Sequence, residues 1–367
     1  MFVTMFPKAE NIHLIKDVGM IPFVLHKELG YEAYIASYDG EDYGYFKTDI
    51  QGVQWLKIER KCNSEIINGL LFLLKYARKI DTLNLYHFRA SSFIWIIVYK
   101  ILNMKGKVYL KLDISTESGI KMNMKRGSFK WILTKLILGM CKVISCETEA
   151  FADYANEKWP VKISCLPNGV LKREISTNHA KEKIILTVGR LGAKQKAVEN
   201  LIVAFEEAIA HISEEWKLLL VGPMSDEFAC YLKNRMQKNP MLHNRIQYLG
   251  EIDNREELAS LYSRAAIFTL PSRWESFGLA AIEALSRGDY LLLTNLQSFK
   301  EISFSEKYGK LIEIDNNHSY VFSIIDSCQK FEKTGALIEY LELQKDLEEK
   351  FCWESICARL DMELERK

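Results

Sequence analysis

The stretch TLPSRWESFGLAAIEAL, residues 269–285, gives the most direct indication of how this chain folds. The six residues from Ala265 form a short apolar run that is typical of a buried strand. Residues 280–286 favour a helix, and Gly288 ends it. The pattern therefore predicts a strand, a polar loop and a helix whose first turn carries residues 276–279, as in a parallel α/β fold.

The start of this predicted helix is suited to an anion. The first N–H groups of a helix have no partner within the helix, and this end carries a partial positive charge. Gly278 would let an anion approach the backbone closely. Glu275 and Glu283 are eight residues apart, so on one helix they could face a ligand from its two ends. A helix cap followed by an ordinary surface glutamate is the alternative interpretation.

The wider pattern resembles a known donor site. Residues 271–284, PSRWESFGLAAIEA, are similar to the donor-site signature of the retaining family 4 glycosyltransferases, the glycosyl transferases of group 1, which have the GT-B fold. In that family the first glutamate lies at the donor sugar, the second binds the ribose hydroxyls, and the Gly-Leu amides meet the diphosphate. The resemblance implies a donor-binding set in this chain: Glu275, Ser276, Phe277, Gly278, Leu279 and Glu283.

The resemblance also implies the fold class. It is α/β, with two Rossmann-like domains that face each other across a cleft and a C-terminal helix that crosses back to the N-terminal domain. The length of 367 residues independently favours two domains. PNGV at residues 167–170 resembles the interdomain junction of the family. We therefore expect an acceptor-binding domain at residues 1–170 with 353–367, and a nucleotide-sugar-binding domain at residues 171–352.

Two cations flank the loop after another predicted strand. The apolar run at residues 184–188 leads to Arg190, and Lys196 follows six residues later. These cations could neutralise the diphosphate that leaves a nucleotide-sugar, although two solvated surface cations are the alternative. The family has an arginine and a lysine at this spacing in that role, and usually a glycine at the position of Ala197. By the same resemblance, Ile252 borders the nucleobase.

The N-terminal half carries two candidate acceptor-side positions. A strand, a loop, a helix and another strand begin the chain, and Gly19 lies in that loop. The resemblance implies that the Gly19 amide approaches the reaction centre, with Asp17 where a second glycine is common. Asp113 follows the predicted strand at residues 107–112, where many family members have a histidine that touches the donor sugar or the acceptor. Each residue could instead be a plain turn or cap residue.

Charge is distributed unevenly along the chain. Residues 1–180 contain 25 Lys and Arg residues against 18 Asp and Glu residues, whereas the whole chain has a net charge of +1. The segment 121–138 combines cations with apolar residues at helical spacing, which indicates a helix that could lie on an anionic membrane. A core-packed helix with a solvated basic face is the alternative. The basic residues lie among aliphatic side chains, so we expect no nucleic-acid partner.

Other features of the sequence argue against several classes of protein. The eight cysteines form no C-x-x-C pair and no Cys/His grouping with zinc spacing, so we expect reduced, buried thiols and no metal site. No G-x-G-x-x-G fingerprint supports a dinucleotide oxidoreductase. The N-terminus lacks the apolar region of a signal peptide, and the apolar runs are too short to span a bilayer. We therefore expect a protein of the cytoplasm or of the inner face of the cell membrane.

Together these patterns predict metal-independent transfer of a sugar from a nucleotide-diphospho-sugar to an acceptor hydroxyl, with retention of configuration, in bacterial-type glycan or glycoconjugate assembly. The acceptor is expected to be a glycan or a lipid-linked or protein-linked molecule. A catalytically inactive relative that acts as a partner subunit or binds a glycan is a second hypothesis, because Asp17 and Asp113 depart from the family pattern. A sugar-nucleotide epimerase is a third, although the acidic and histidine residues that it needs in the cleft have no clear place in the sequence.

Overall fold

A computed structural model of the protein describes three ranges of the chain: residues 1–39, 42–121 and 126–366. The chain divides into an N-terminal unit, residues 1–168 with 352–367, and a C-terminal unit, residues 169–351. The sequence predicts that the first domain ends at residue 170 and that the chain returns to it at residue 353. The observed divisions lie within two residues of these positions.

Strands and helices alternate along both units, as the β-α-β rhythm of the sequence predicts. The N-terminal unit contains β1 (Phe2–Met5), α1 (Asp17–Leu29), β2 (Ala33–Ser37), α2 (Tyr45–Thr48), β3 (Gln54–Lys57), α3 (Glu65–Tyr76), β4 (Thr82–Tyr86), α4 (Ala90–Leu102), β5 (Lys107–Lys111), α5 (Thr116–Lys121), α6 (Phe129–Leu138), β6 (Val143–Cys146), α7 (Glu149–Lys158) and β7 (Ser164–Cys165).

The C-terminal unit continues the alternation, and the last helix of the chain returns to the N-terminal unit. Its elements are β8 (Glu182–Val188), α8 (Val198–Ala208), β9 (Lys217–Val221), α9 (Asp226–Lys238), β10 (Ile246–Gly250), α10 (Arg255–Arg264), β11 (Ala265–Leu270), α11 (Leu279–Ser286), β12 (Tyr290–Thr294), α12 (Gln297–Ile302), β13 (Gly309–Ile312), α13 (Asn317–Thr334) and α14 (Tyr340–Lys350), before the returning α15 (Trp353–Glu365).

The N-terminal unit is built on a parallel sheet. Its strand order is β3-β2-β1-β4-β5-β6-β7, with Phe2 opposite both Ala33 and Thr82. Strands β1 and β4 are buried along their whole length, as is usual for the central strands of a parallel sheet. The strand order reverses between β1 and β4. In sheets of this kind, ligands bind at the carboxyl ends of the strands beside such a reversal.

Helix α15 belongs to the N-terminal core although it comes last in the chain. It packs on α1, where the Tyr31 hydroxyl donates a hydrogen bond to the Asp361 carboxylate at 2.5 Å. Its buried side chains are Trp353, Ile356, Cys357, Leu360 and Leu364. Burial of each large apolar side chain contributes about 1.5–3 kcal/mol. The helix therefore helps to hold the N-terminal unit together, as the resemblance implies.

The C-terminal unit is built on a second parallel sheet. Its strand order is β10-β9-β8-β11-β12-β13, and Leu186 at its centre lies opposite Leu219 and Phe268. Helices α8 and α13 pack against each other. Side-chain caps begin several helices; for example, Asn254 accepts from the first amides of α10. Here the order reverses between β8 and β11, so the carboxyl ends of these strands are where a ligand is expected.

The segment 121–138 lies partly outside the described residues, because residues 122–125 are not described. Helix α6 covers its second part, and Ser128 caps the helix by accepting from the Trp131 amide at 3.2 Å. Ile137 is buried, but four other apolar side chains of α6 are exposed: Phe129, Ile132, Leu133 and Leu136. Among the helices of the described ranges, none is long and apolar enough to cross a membrane.

The cysteines are all free, and their burial varies more than expected. Cys146, Cys328, Cys352 and Cys357 are buried, whereas Cys230 is exposed. The expectation of buried thiols is therefore wrong for Cys230, which lies on a different side of α9 from the buried residues Phe228 and Leu232.

Candidate functional site

The reversal between β8 and β11 brings two loops to one edge of the C-terminal sheet. We call residues 189–197 the β8 loop and residues 271–278 the β11 loop. Backbones approach closely at this edge: a Cβ atom on Gly222 would lie 2.1 Å from the Gly189 carbonyl oxygen, so Gly222 leaves no room for a larger residue. The two loops carry six of the predicted site residues: Arg190, Lys196, Glu275, Ser276, Phe277 and Gly278.

Lys196 and Glu275 are in direct contact. The Lys196 ammonium donates to Glu275 Oε1 at 2.5 Å, and the Ser272 hydroxyl donates to the same oxygen at 2.8 Å. The two charged side chains are only 15% and 9% exposed, so removing either partner would leave a buried charge unpaired. Ser272 is itself fixed by Thr294, whose hydroxyl donates to the Ser272 carbonyl at 2.5 Å. Two residues predicted to bind the donor therefore form one ordered ion pair.

The residue after Lys196 has a strained backbone. Ala197 is buried and has φ +47° and ψ +37°, which is the left-handed region that favours glycine. A non-glycine residue in this region costs about 1–2 kcal/mol. The geometry explains why the family usually has a glycine here, since the chain must turn left-handed to direct Lys196 towards Glu275 and then begin α8.

Arg190 is tied to the β11 loop through Gln195. Arg190 Nη2 donates to Gln195 Oε1 at 2.9 Å, and Gln195 Nε2 donates to the Trp274 carbonyl at 2.8 Å. The Arg190 side chain is exposed, whereas Gln195 is half-buried. The two predicted cations of the β8 loop, Arg190 and Lys196, thus both connect to the β11 loop, one through an amide and the other through an ion pair.

A second arginine, which the sequence analysis did not select, also joins the loops. The Arg273 guanidinium donates to the Lys194 carbonyl at 2.8 Å and forms an ion pair with Asp315 at 2.9 Å. The hydrogen bond from Arg273 lowers the pKa of Asp315 below its ordinary value. Asn200, at the start of α8, donates to the same carboxylate at 2.7 Å. Arg273 lies inside the stretch that indicated the fold, but Asp315 is 42 residues further along, so no local pattern relates the two residues.

Helix α11 begins later than the sequence pattern predicts. It starts at Leu279, with Gly278 as its N-cap at φ +109°, so residues 276–278 do not form its first turn. The expectation was wrong because Gly278 leaves the helical region and Phe277 turns into the core, where its ring lies 5.9 Å from that of Phe351. The Gly278 position admits no side chain, since a Cβ atom would lie 2.5 Å from the Phe299 ring.

The late helix start changes how the predicted donor residues are placed. Glu275 lies in the loop before α11, so Glu275 and Glu283 are not on one helix as the sequence pattern predicts. Ser276 is exposed, whereas Phe277 is 2% exposed and packs into the core beneath the loop. Leu279 is the first residue of α11, so its amide and that of Gly278 remain at the helix start that suits an anion.

Glu283 and Ile252 lie on other elements of the C-terminal unit. Glu283 is on α11, and its Oε2 accepts from the buried Tyr262 hydroxyl at 3.2 Å. Ile252 is half-buried in the loop after β10. The expected contacts of these two residues with ribose and nucleobase stay predictions.

The edge of the N-terminal sheet carries Asp113. This residue follows β5 with φ +43°, and His87, which follows the neighbouring β4, has φ +65°. Both conformations are costly for non-glycine residues, and such strain is typical of functional positions. His87 Nδ1 lies 3.5 Å from Asp113 Oδ2. Burial lowers the pKa of His87, while Asp113 opposes that shift. The sequence analysis placed Asp113 after β5 but did not select His87 as its partner.

A buried lysine and two further carboxyl groups lie at the same edge. Lys111 is fully buried, donates to the Leu166 carbonyl at 3.1 Å and lies 3.7 Å from Glu147. Burial raises the pKa of Glu147 to about 8 and that of Asp17 to about 6, although Lys111 opposes both shifts. In the described ranges, no group of three or more His, Cys, Asp or Glu side chains could hold a metal ion.

Gly19 is in a helix rather than in a loop. Helix α1 begins at Asp17, so Gly19 lies in its first turn and is buried. A Cβ atom on Gly19 would lie 1.8 Å from the Leu14 carbonyl oxygen, which excludes every other residue type here. The expected loop was wrong because the helix runs through Pro22, which lies inside the helix and leaves it without one backbone hydrogen bond. The expected role of the Gly19 amide in the reaction stays a prediction.

The fold and the two strand-order reversals define a class of protein. Over 99% of both chains, the structure resembles the Anabaena protein HepE in complex with UDP, with a TM-score of 0.72 and 13% identity. Over 98% of this chain and 97% of the other, it resembles sucrose-phosphate synthase from Thermosynechococcus elongatus, with a TM-score of 0.71 and 15% identity. The predicted fold class is confirmed: the protein is α/β, with two Rossmann-like domains, and has the GT-B fold.

The family follows from the sequence of the C-terminal unit. Residues 171–342 match the family model described as glycosyl transferases group 1. This match covers most of the C-terminal unit, and it confirms the resemblance to glycosyl transferases of group 1 that residues 271–284 carry.

The known relatives match part of the chain. Over 203 residues, 55% of this chain and 47% of the relative, it is 28% identical to an uncharacterized glycosyltransferase of Methanocaldococcus jannaschii. Over 198 residues, 49% of this chain and 47% of the relative, it is 28% identical to the UDP-Gal:alpha-D-GlcNAc-diphosphoundecaprenol alpha-1,3-galactosyltransferase of Escherichia coli. The chain thus spans about half the length of the curated relatives it matches.

Proposed function

We propose that this protein transfers a sugar from a nucleotide-diphospho-sugar to an acceptor hydroxyl, with retention of configuration, during assembly of a glycan or glycoconjugate. One observation supports this function above the others. Lys196 and Glu275 meet at the strand-order reversal of the C-terminal sheet, with Arg190 on the same loop as Lys196. A diphosphate requires cations and a sugar requires hydrogen-bond acceptors, and these two loops offer both.

The donor diphosphate would be bound by Lys196, Arg190 and the amides of Gly278 and Leu279. An ammonium group has three N–H donors, so Lys196 can bind a phosphate oxygen while it keeps its contact with Glu275. Glu275 would then hydrogen-bond and orient the sugar. The remaining donor assignments follow the family: Glu283 binds the ribose and Ile252 packs on the nucleobase.

The reaction breaks the bond between the anomeric carbon and the diphosphate oxygen, and the electron pair stays on that oxygen. The acceptor hydroxyl attacks from the same face, and its proton passes to an oxygen of the leaving diphosphate. The cations stabilise the negative charge that develops, and removal of one such contact typically costs about 2.7–4 kcal/mol of transition-state stabilisation. Because Lys196 and Arg190 supply positive charge, we propose that no metal ion is required. Full activity in excess EDTA would be the expected result.

We assign acceptor binding to the N-terminal unit. Asp113 and His87 lie at the carboxyl ends of neighbouring strands, where a carboxylate and an imidazole can hydrogen-bond a hydroxyl group. The Escherichia coli relative is named for an acceptor linked to diphosphoundecaprenol. We propose a lipid-linked acceptor for this protein, ahead of a free glycan or a protein-linked one. The site of action would be the cytoplasmic face of the membrane.

The exposed side of α6 supports a membrane contact. Phe129 is 82% exposed and Leu136 is 62% exposed, and Ile101, on the neighbouring helix α4, is 72% exposed. Cations accompany these apolar side chains: Lys121, Arg126, Lys130 and Lys135 are exposed. An apolar surface edged by cations fits an anionic bilayer, in which apolar side chains enter the acyl region and cations meet the headgroups.

Vesicle co-sedimentation tests this contact. We expect the protein to bind vesicles that contain anionic phosphatidylglycerol more tightly than vesicles of phosphatidylcholine alone. The double variant Phe129→Ser/Leu136→Ser should lose most of this binding. The matched control is Leu341→Ser, because Leu341 is an 87% exposed apolar residue on α14 of the other unit. Equal binding by both variants would contradict a docking role for α6.

A thermal-shift panel of nucleoside diphosphates and nucleotide-sugars tests the proposed function. A ligand that binds only the folded protein raises its melting temperature. We therefore expect the nucleotides of one base to raise the melting temperature more than those of the other bases. Release of that nucleoside diphosphate from its sugar donor is then measured with and without a lipid extract as acceptor. Release that depends on the acceptor supports transfer. Binding without any release would favour the inactive relative, and a changed sugar without transfer would favour the epimerase.

A further inference from the structure

The side chain of Gln195 uses both ends of its amide to join two loops. Its Oε1 accepts from Arg190 Nη2 at 2.9 Å, and its Nε2 donates to the Trp274 carbonyl at 2.8 Å. The partners fix this orientation, because a guanidinium group can only donate and a carbonyl can only accept. The Gln195 backbone carbonyl also accepts from the Arg273 amide at 2.8 Å. Gln195 therefore bonds to Arg190 and to two consecutive residues of the β11 loop.

The residues on either side of Gln195 are bound to the same loop. Lys194 accepts from the Arg273 guanidinium through its carbonyl, and Lys196 pairs with Glu275. The two loops are therefore cross-linked at three consecutive residues of the β8 loop. Among these links, the Gln195 side chain is the one that reaches Arg190.

Only an amide of this length can make both side-chain contacts at once. Glutamate would accept from Arg190 but could not donate to the Trp274 carbonyl, and asparagine is one methylene group shorter. The contact uses one of the five N–H donors of the guanidinium group, so donors remain for a phosphate. An exposed arginine loses rotamer freedom when it binds a ligand, and restraining it beforehand reduces that loss.

We propose that Gln195 is a positioning residue of the donor site. It orders Arg190 before the donor arrives and ties it to the loop that carries Glu275, so that the diphosphate contact and the sugar contact are held in one arrangement. The inference rests on the proposed function and adds to it the residue that connects the two halves of the donor site.

Titration calorimetry with UDP and with GDP tests the proposal through a double-mutant cycle. The variants are Gln195→Met, which keeps the side-chain volume and removes both hydrogen bonds, Arg190→Ala and the double variant. We expect Gln195→Met to weaken nucleoside-diphosphate binding about tenfold by releasing Arg190. In the Arg190→Ala background the same change should alter binding less than twofold, because contacting residues are coupled. Gln237→Ala, at an exposed position on α9, is the control and should bind normally.

The cycle separates positioning from a merely structural role. If Gln195 only holds the loops together, Gln195→Met will weaken binding by the same factor with and without Arg190, and the inference is wrong. Wild-type affinity in Gln195→Met would also overturn it. If that variant does not fold, Gln195→Ala in the same cycle gives the same test. If the wild-type protein binds no nucleoside diphosphate at all, both this inference and the proposed function are wrong.

Discussion

The two sheets have the same strand order, apart from the additional strand β7 of the N-terminal unit, but carry opposite chemistry at the edge where that order reverses. In the C-terminal unit this edge presents Arg190 at the surface and Lys196 in a pair with Glu275. In the N-terminal unit it holds Asp17 and Glu147, whose pKa values burial raises to about 6 and about 8. The fold places a binding edge on each unit, and the residues on that edge decide its ligand. We infer that the cationic edge suits a diphosphate and the carboxyl-rich edge suits a neutral, hydroxyl-bearing molecule.

The largest expected effect concerns Glu275, the acidic group on the cationic edge. Glu275→Gln should reduce sugar transfer at least 100-fold, because the neutral amide supports the developing charge of the sugar poorly. Nucleoside-diphosphate affinity should stay equal or increase, since Lys196 would no longer be held by a carboxylate. Acceptor-dependent release and calorimetry measure the two effects separately. Glu227→Gln, at an exposed position on α9, is the control. Unchanged turnover in Glu275→Gln would contradict a role of Glu275 in the donor site.

The second effect concerns Lys111, the cation on the carboxyl-rich edge. Burial raises the pKa of Glu147 from 4.5 to about 8, so the folded protein binds a proton that the unfolded chain releases. The contribution of Glu147 to stability is therefore greatest below about pH 4.5 and is lost as the pH rises to about 8. Lys111→Met removes the partner of the ionised carboxylate and should lower the free energy of unfolding by about 3–5 kcal/mol at pH 9.

Urea denaturation at pH 5 and pH 9 checks this prediction. At pH 5 the carboxyl group of Glu147 is protonated in the folded state, so the loss caused by Lys111→Met should be smaller than at pH 9. Lys130→Met removes an exposed lysine from α6 and should change stability little at either pH. An equal loss at both pH values would show that Lys111 does not act through Glu147.

The third effect compares the two cations of the C-terminal edge. Charge-assisted hydrogen bonds contribute about 1.5–3 kcal/mol each, so Arg190→Ala and Lys196→Ala should each weaken nucleoside-diphosphate binding about 10–100-fold. Only Lys196→Ala should also lower the melting temperature, because it leaves the buried Glu275 carboxylate unpaired. Calorimetry and thermal unfolding distinguish the two variants. Equal melting temperatures would contradict the buried pair, and unchanged binding would contradict the diphosphate site.

The smallest effect concerns the strained residue beside Lys196. Ala197→Gly relieves a left-handed conformation, which offsets the entropy and packing lost with the methyl group. We expect the free energy of unfolding to stay within about 0.5 kcal/mol of wild type. The control Ala204→Gly changes an equally buried alanine inside α8, where glycine costs about 1 kcal/mol in helix propensity alone. Similar losses for both variants, measured by urea denaturation, would argue against strain at Ala197.

The sequence was sufficient for the architecture because apolar strand runs and their β-α-β order fix a parallel sheet. It was insufficient for contacts between distant segments. Lys196 and Glu275 are 79 residues apart, and only the family resemblance related them. The burial of Lys111 depends on Glu147, which follows another strand. The helix start at Leu279 was missed because it depends on the packing of Phe277 against the core. Local helix propensity does not include such tertiary packing.

A crystal structure of the protein soaked with UDP or GDP, whichever the thermal-shift panel selects, tests the central claim most directly. The account predicts diphosphate oxygens within about 3.2 Å of Lys196 Nζ, of the Arg190 guanidinium and of the amides of Gly278 and Leu279. A diphosphate bound elsewhere, with the contact between Lys196 and Glu275 unchanged and Arg190 turned to solvent, would contradict it.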